Sequence, residues 1–278
     1  MAPPQPGPAA RHWAGQLADW AIPTSILDAA PDPPYALDPA AFRPDPAAPL
    51  DTPSRRMALA ALPPGGSVLD VGAGAGAASL ALVPPAGRIT AVDAAADMLA
   101  AFAATVDQAG VAHDEVHGRW PDVAEEVGSA DVVVCHHVAY NVADLGAFAI
   151  ALSAHARARV VLELTTVHPW QPMNPLWRAL HGLDRPEGPT ADDARALLAE
   201  VGIPALEVRW RRSGARPAEV TPAAVAQARR RLCLPPSRDP EIATLLQGVP
   251  LRPDTMATLW WDVAPAHDAE GAHGAGGA

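Results

Sequence analysis

Residues 67–82, Ser-Val-Leu-Asp-Val-Gly-Ala-Gly-Ala-Gly-Ala-Ala-Ser-Leu-Ala-Leu, leave few folds open to this chain. Val68, Leu69 and Val71 read as a short buried strand. Gly72, Gly74 and Gly76 read as a turn almost free of side chains, and Ala77 to Leu82 as a helix. Such a unit brings backbone N–H groups and the positive end of a helix dipole up to a ligand. It needs a parallel sheet around it.

The rest of the chain supplies that sheet. Arg88–Val92 reads as a strand ending at Asp93, Ala96–Ala109 as a helix closed by Gly110, and Asp114–His117 as a weak strand. Asp131–His136 is a Val-rich strand, Leu145–Ala156 a helix and Arg159–Leu164 a further strand. This alternation predicts an α/β fold with a parallel sheet covered on both faces. Pro172–Gly182 and Ala191–Val201 read as helices, and Ala205–Arg212 and Ala257–Val263 as strands. Helical segments lie between those two strands, at about 221–234 and 239–247.

The ends read differently. Residues 1–10 and the Gly/Ala/His-rich stretch from Ala266 are expected to be disordered tails. Trp13, Leu17 and Trp20 fall at helical spacing over 11–21. Pro31 to Pro49 carries too many prolines for a long helix or a central strand. Pro53 behind Asp51 or Thr52 starts a helix over Ser54–Leu62.

Net charge is −11, so non-specific attraction to nucleic acid or anionic lipid is not expected. The two cysteines, Cys135 and Cys233, suit a reduced compartment rather than a disulfide framework. No apolar run is long enough to span a bilayer, and Met-Ala-Pro-Pro-Gln-Pro-Gly-Pro lacks a signal-peptide core. A cytoplasmic chain is the expectation, with no membrane partner.

A strand–glycine turn–helix unit does not name its ligand. Gly72-Ala-Gly74-Ala-Gly76-Ala77 can be aligned with the dinucleotide pattern, and Asp93 stands about where an acidic residue would hold ribose hydroxyls. Asp70 argues against a pyrophosphate, which would be repelled by a carboxylate two residues before the turn. Some 65 residues precede the first strand, and the chain's end supplies two more strands rather than a substrate domain.

Val-Leu-Asp-Val-Gly-Ala-Gly-Ala-Gly resembles the first motif of the class I S-adenosylmethionine-dependent methyltransferases (the type 11/12-like domains). Ile-Thr-Ala-Val-Asp93 with Asp97-Met98-Leu99 resembles the second, and Asp131-Val-Val-Val-Cys-His-His the fourth strand. The likeness covers about residues 52–165. It implies a doubly wound, Rossmann-like, three-layer sheet of seven strands, with an antiparallel last strand and the order 3-2-1-4-5-7-6. It implies S-adenosylmethionine as cofactor. Asp70 would face the methionine amino group or brace the loop. Gly72, Gly74 and Gly76 would form the cradle, and Asp93, with Ala94 beside it, would accept bonds from the ribose. Met98 would pack near the adenine, Arg119 and Trp120 would lie at its edge, and His136 would stand by the methionine carboxylate. Arg119 replaces an Asp common at that turn, leaving Asp122 or a backbone carbonyl to take the adenine amine.

Methyl transfer needs chiefly an aligned nucleophile, with a base when that nucleophile carries a proton. His137, Tyr140 and His168 are the candidate catalytic groups, with Asn141, Trp170 and Trp177 near them. Adjacent residues on a strand face opposite sides, so His136 and His137 are not expected to share a metal. Asp32-Pro-Pro-Tyr35 matches a motif of nitrogen methyltransferases, but it lies upstream of the first strand and reads as chance in a chain with 32 prolines.

Residues 205–238 hold eight arginines (209, 211, 212, 216, 229, 230, 231 and 238) against Glu207 and Glu219. A solvated face is the plain reading, and a site for an acidic partner the sharper one. The expected organisation is an extension over 1–62 forming part of a lid, a methyltransferase domain over 63–265 with an insertion at about 213–254, and a tail over 266–278. The expected function is methyl transfer to a small molecule. A protein or RNA methyltransferase using the Arg-rich insertion, an NAD(P)-binding oxidoreductase and a catalytically silent binding protein are the alternatives.

Overall fold

The structure is a computed structural model, and it describes residues 6–35, 51–212 and 220–263. The two expected tails beyond these bounds, most of the Pro31–Pro49 stretch and the start of the insertion lie outside the described residues.

Seven strands form one sheet. They are β1 (Ser67–Val71), β2 (Arg88–Asp93), β3 (Ala112–His117), β4 (Ala130–His136), β5 (Ala156–Thr165), β6 (Leu206–Arg211) and β7 (Thr255–Asp262), in the order β3-β2-β1-β4-β5-β7-β6. β1 lies parallel to β2 and β4 at the centre, and β7 runs antiparallel to both β5 and β6. The expected order and the antiparallel last strand are therefore observed.

The period-2 alternation of the strands divides the core. Leu69, Val71, Val133, Cys135, Val160 and Leu162 face α1 (Pro8–Ala18), α6 (Leu145–His155) and α8 (Ala191–Glu200). Val68, Ile89, Val132, Val134 and Val161 face the other way, toward α3 (Pro53–Leu59) and α5 (Ala96–Ala109). Two fully covered faces explain why the strands read as near-continuous apolar runs.

A third core stands apart from the sheet. The four-residue α2 (Thr24–Leu27) joins α7 (Asn174–His181), α9 (Pro222–Arg231) and α10 (Asp239–Leu245) around Ile22, Leu176, Trp177, Ala228, Leu232 and Ile242. The insertion thus packs into a helical cap together with the chain's beginning and the segment after β5.

Local chemistry sets the helix ends. Thr52 caps α3, its hydroxyl accepting the Arg55 N–H, with Pro53 in the first helical position. Thr190 and Asp193 form a reciprocal capping box on α8. Gly110 closes α5 at φ 67°. Two helices depart from expectation. α1 begins at Pro8, inside the stretch read as a tail, because the Glu200 carboxylate accepts the N–H groups of Ala9 and Ala10 at 2.8 and 3.0 Å. The helix after the glycine turn, α4, spans only Ala77–Leu80 and stops short of Val83-Pro84-Pro85.

Candidate cofactor and acceptor site

The glycine turn is pinned to β2. The N–H groups of Gly72 and Ala73 both donate to the Val92 carbonyl, at 2.8 and 3.1 Å. Each glycine has its own reason. A Cβ on Gly72 would stand 2.2 Å from Val138, so the segment after β4 closes directly on the turn. A Cβ on Gly76 would meet the Phe102 ring at 2.9 Å, where α5 packs against the start of α4. Gly74, at φ 54°, has nothing within 4 Å of that position among the described residues, so the turn's open side lies there. With α4 only four residues long, the loop amides rather than a helix dipole define the cradle.

Two carboxylates flank it. Asp93 is partly exposed; its Oδ2 accepts the Gly74 N–H and its Oδ1 the Ala95 N–H, both at 2.9 Å. Each oxygen retains lone pairs for a further donor. Ala94 beside it is exposed, and Met98 is buried in α5. Asp70 is buried on the α5 face of β1. Its Oδ2 accepts the Ser79 N–H at 3.3 Å, so it braces α4, while its Oδ1 has no partner among the described residues. Burial, opposed by the Ser79 bonds, pushes its pKa up to about 6. An orphaned buried carboxylate oxygen on the strand that enters the glycine turn fits a cofactor that brings an ammonium group, and does not fit a pyrophosphate.

The C-terminal edge of β4 and β5 holds a polar network that sequence reasoning missed. Cross-strand register places His136, Glu163 and Thr258 side by side on β4, β5 and β7. Ser54 of α3 reaches them from above. Trp210 Nε1–H donates to Thr258 Oγ1 at 3.0 Å. Thr258 Oγ1 lies 2.7 Å from Ser54 Oγ, and Ser54 donates to Glu163 Oε2 at 2.5 Å. An indole can only donate, so the chain's direction is fixed: every proton points toward Glu163. Burial raises the Glu163 pKa, but His136, His137 and the Ser54 hydroxyl outweigh it and bring it down to about 2. The available signal was one charged residue inside the apolar run Arg159–Leu164.

Both histidines approach that carboxylate. His136 Nδ1 is 4.0 Å from Oε2, and His137 Nε2 is 3.2 Å from Oε1. The expectation that adjacent residues face apart is corrected here. His137 adopts φ 63°, a left-handed conformation uncommon outside glycine, which turns its side chain back toward Glu163. His136 Nε2 is buried without a partner among the described residues, and burial lowers that imidazole's pKa. Among the described residues no group of three or more His, Cys, Asp or Glu could hold a metal ion.

The remaining candidates are engaged elsewhere. Tyr140 donates its hydroxyl to the Thr165 carbonyl at 2.7 Å, and its ring stacks on Trp13 at 5.6 Å. Its phenol is thereby tied to the β5 end. His168 stacks on Trp20 at 3.8 Å, and its Nδ1 accepts the Trp170 N–H at 3.3 Å. Burial, then the charge of Arg185, pushes its pKa down to about 3. It is a neutral packing imidazole. Trp120 is a core residue. Its ring meets His155 edge-on at 4.9 Å and its N–H donates to the Phe148 carbonyl, while Arg119 stays exposed. Trp177 lies in the cap core. Tyr35 stacks on Trp170 at 5.4 Å, so Asp32-Pro-Pro-Tyr35 packs against the cap and not at the end of β4.

Residues 68–159 match the family "methyltransferase domain". Two solved structures share the fold at a TM-score of 0.50 and 16% identity. One is magnesium protoporphyrin IX methyltransferase from Synechocystis PCC 6803 with bound SAH, covering 77% of this chain and 81% of its own. The other is a proposed sarcosine dimethylglycine methyltransferase from Galdieria sulphuraria, covering 75% and 82%. No curated protein matches the chain significantly. Residues 68–159 therefore form a methyltransferase domain, and the seven-stranded fold around them is the one these methyltransferase structures share.

Proposed function

We propose that the protein transfers a methyl group from S-adenosylmethionine to a small-molecule acceptor carrying a hydroxyl or amine. The observation that carries this reading is the open side of Gly74, whose N–H Asp93 accepts, with the orphaned oxygen of Asp70 on the strand that leads into the turn. Asp93 would hold the ribose hydroxyls, and Asp70 would meet the methionine ammonium. The cofactor, when bound, supplies an electrophilic methyl group, so the chain's own task is to orient the acceptor and take its proton.

In this reading His137 takes it. Glu163 is the ionised end of a donor chain, so the His137 nitrogen that faces it carries the hydrogen. Nδ1 is left as the basic nitrogen. Val138, next in sequence, touches the glycine turn, so this imidazole stands at the cofactor's edge of the sheet. Net charge of −11 supports a small acceptor over nucleic acid. The reading is tested by calorimetry with S-adenosylhomocysteine and NADH. Binding of the first and not the second supports it, and the reverse rejects it.

A further inference from the structure

Of the eight arginines in residues 205–238, Arg216 lies outside the described residues and Arg230 has no ion pair among them; the other six fall into two groups. Arg209 pairs with Glu207 and Asp192, Arg211 with Asp254, Arg229 with Asp239 and Asp32, and Arg238 with Glu241. Each of these four has a carboxylate partner. Arg212 and Arg231, with Arg252 beyond the segment, have no carboxylate partner among the described residues; a described side-chain contact of Arg212 is a weak one to the Met256 sulfur.

The fold gathers these three at one edge. β6 runs parallel to β5 and β7 runs against both. Arg212 just after β6, Arg252 just before β7 and Trp170 after β5 therefore share the C-terminal edge, where the glycine turn also lies. Arg231, at the end of α9, sets its guanidinium 5.6 Å over the Trp170 ring. Burial and then the charges of Arg252 and Arg230 push the Arg231 pKa down to about 10. Burial and then Arg212 lower that of Arg252. The cap thus holds like charges close together in a protein whose net charge is −11, a cost that a bound anion offsets.

We propose that Arg231, Arg252 and Arg212 form an anion subsite that docks a carboxylate or phosphate group of the acceptor. Planar guanidinium groups suit either oxyanion. The word "acceptor" rests on the methyltransferase reading; the anion site itself does not. Fixed at the rim, an acidic group would orient the rest of the molecule toward His137.

The test uses the full chain, with citrate and inorganic pyrophosphate as probes at matched ionic strength, and S-adenosylhomocysteine titrated separately. Wild type is expected to bind at least one probe, citrate marking a carboxylate and pyrophosphate a phosphate site. Arg231→Gln and Arg252→Gln should each weaken that binding about tenfold or more and leave S-adenosylhomocysteine affinity unchanged. Arg252 is the more exposed, so its variant keeps the test valid if Arg231→Gln does not fold. No probe binding by wild type, or equal binding by the folded variants, overturns the site. Tighter retention of a single-stranded RNA through the same arginines overturns the small-anion form. Loss of S-adenosylhomocysteine binding alone strikes the methyltransferase reading and leaves the anion site standing.

Discussion

Glu163 Oε1 lies 3.2 Å from His137 Nε2, and the histidine reaches it only by adopting φ 63°. Behind the carboxylate stand Ser54, Thr258 and Trp210, all donating in its direction. A backbone held in a sparsely populated region and a buried donor chain both converge on one imidazole.

That arrangement gives a first prediction. His137→Gln should lower kcat for an accepted hydroxyl or amine substrate by about 10²–10⁴ with S-adenosylhomocysteine affinity unchanged. Glu163→Gln should lower kcat less and shift the pH–rate profile, since it disturbs how His137 is held. An unshifted profile in Glu163→Gln would remove the positioning role.

Asp70 predicts an unusual pH response. Its folded pKa is raised from 3.8 to about 6, so the stability it contributes is full below 3.8 and is lost as pH rises through 6. The loss is about 3 kcal/mol. Asp70→Asn should therefore make the cofactor-free protein more stable than wild type at pH 8, with little difference at pH 4, in urea unfolding. Glu163 acts in the opposite sense. Its pKa is depressed to about 2, so its contribution is present above 4.5 and is lost as pH falls toward 2. Identical stability of Asp70→Asn and wild type at pH 8 would contradict the desolvated-carboxylate account.

The glycines separate fold from binding. Gly74→Ala meets no neighbouring atom among the described residues and costs only the left-handed backbone, about 1–2 kcal/mol. It should fold and bind S-adenosylhomocysteine poorly. Gly72→Ala adds an overlap with Val138 to the same backbone strain and should be clearly the less stable in thermal denaturation. Equal stability of the two would deny the close approach of Val138.

Much of this fold was legible because the signals were local. Val-rich strands, Gly110 at a helix end and Pro53 at a helix start each act within a few residues. The failures are long-range. α1 starts at Pro8 because Glu200, far along the chain, accepts its first free amides, and no window of sequence contains that bond. Glu200→Ala should accordingly destabilise the protein by about 1 kcal/mol, read from urea unfolding. Glu163 gained meaning only from its register with His136 and Thr258. The edge-on packing of Trp120 against His155 under α6 is likewise a contact between residues far apart in sequence. The cap core joins α2 to α9 and α10, and no local periodicity announces such a meeting.

The central claim is that the Gly72–Gly76 turn and Asp93 hold an adenosyl amino acid. Calorimetric titration of wild type and Asp93→Ala with S-adenosylhomocysteine tests it most directly. The account predicts saturable binding by wild type and a loss of about 2–3 kcal/mol in the variant, which is roughly 30- to 150-fold in Kd. Equal affinity in the two proteins, or no binding by wild type, would contradict it.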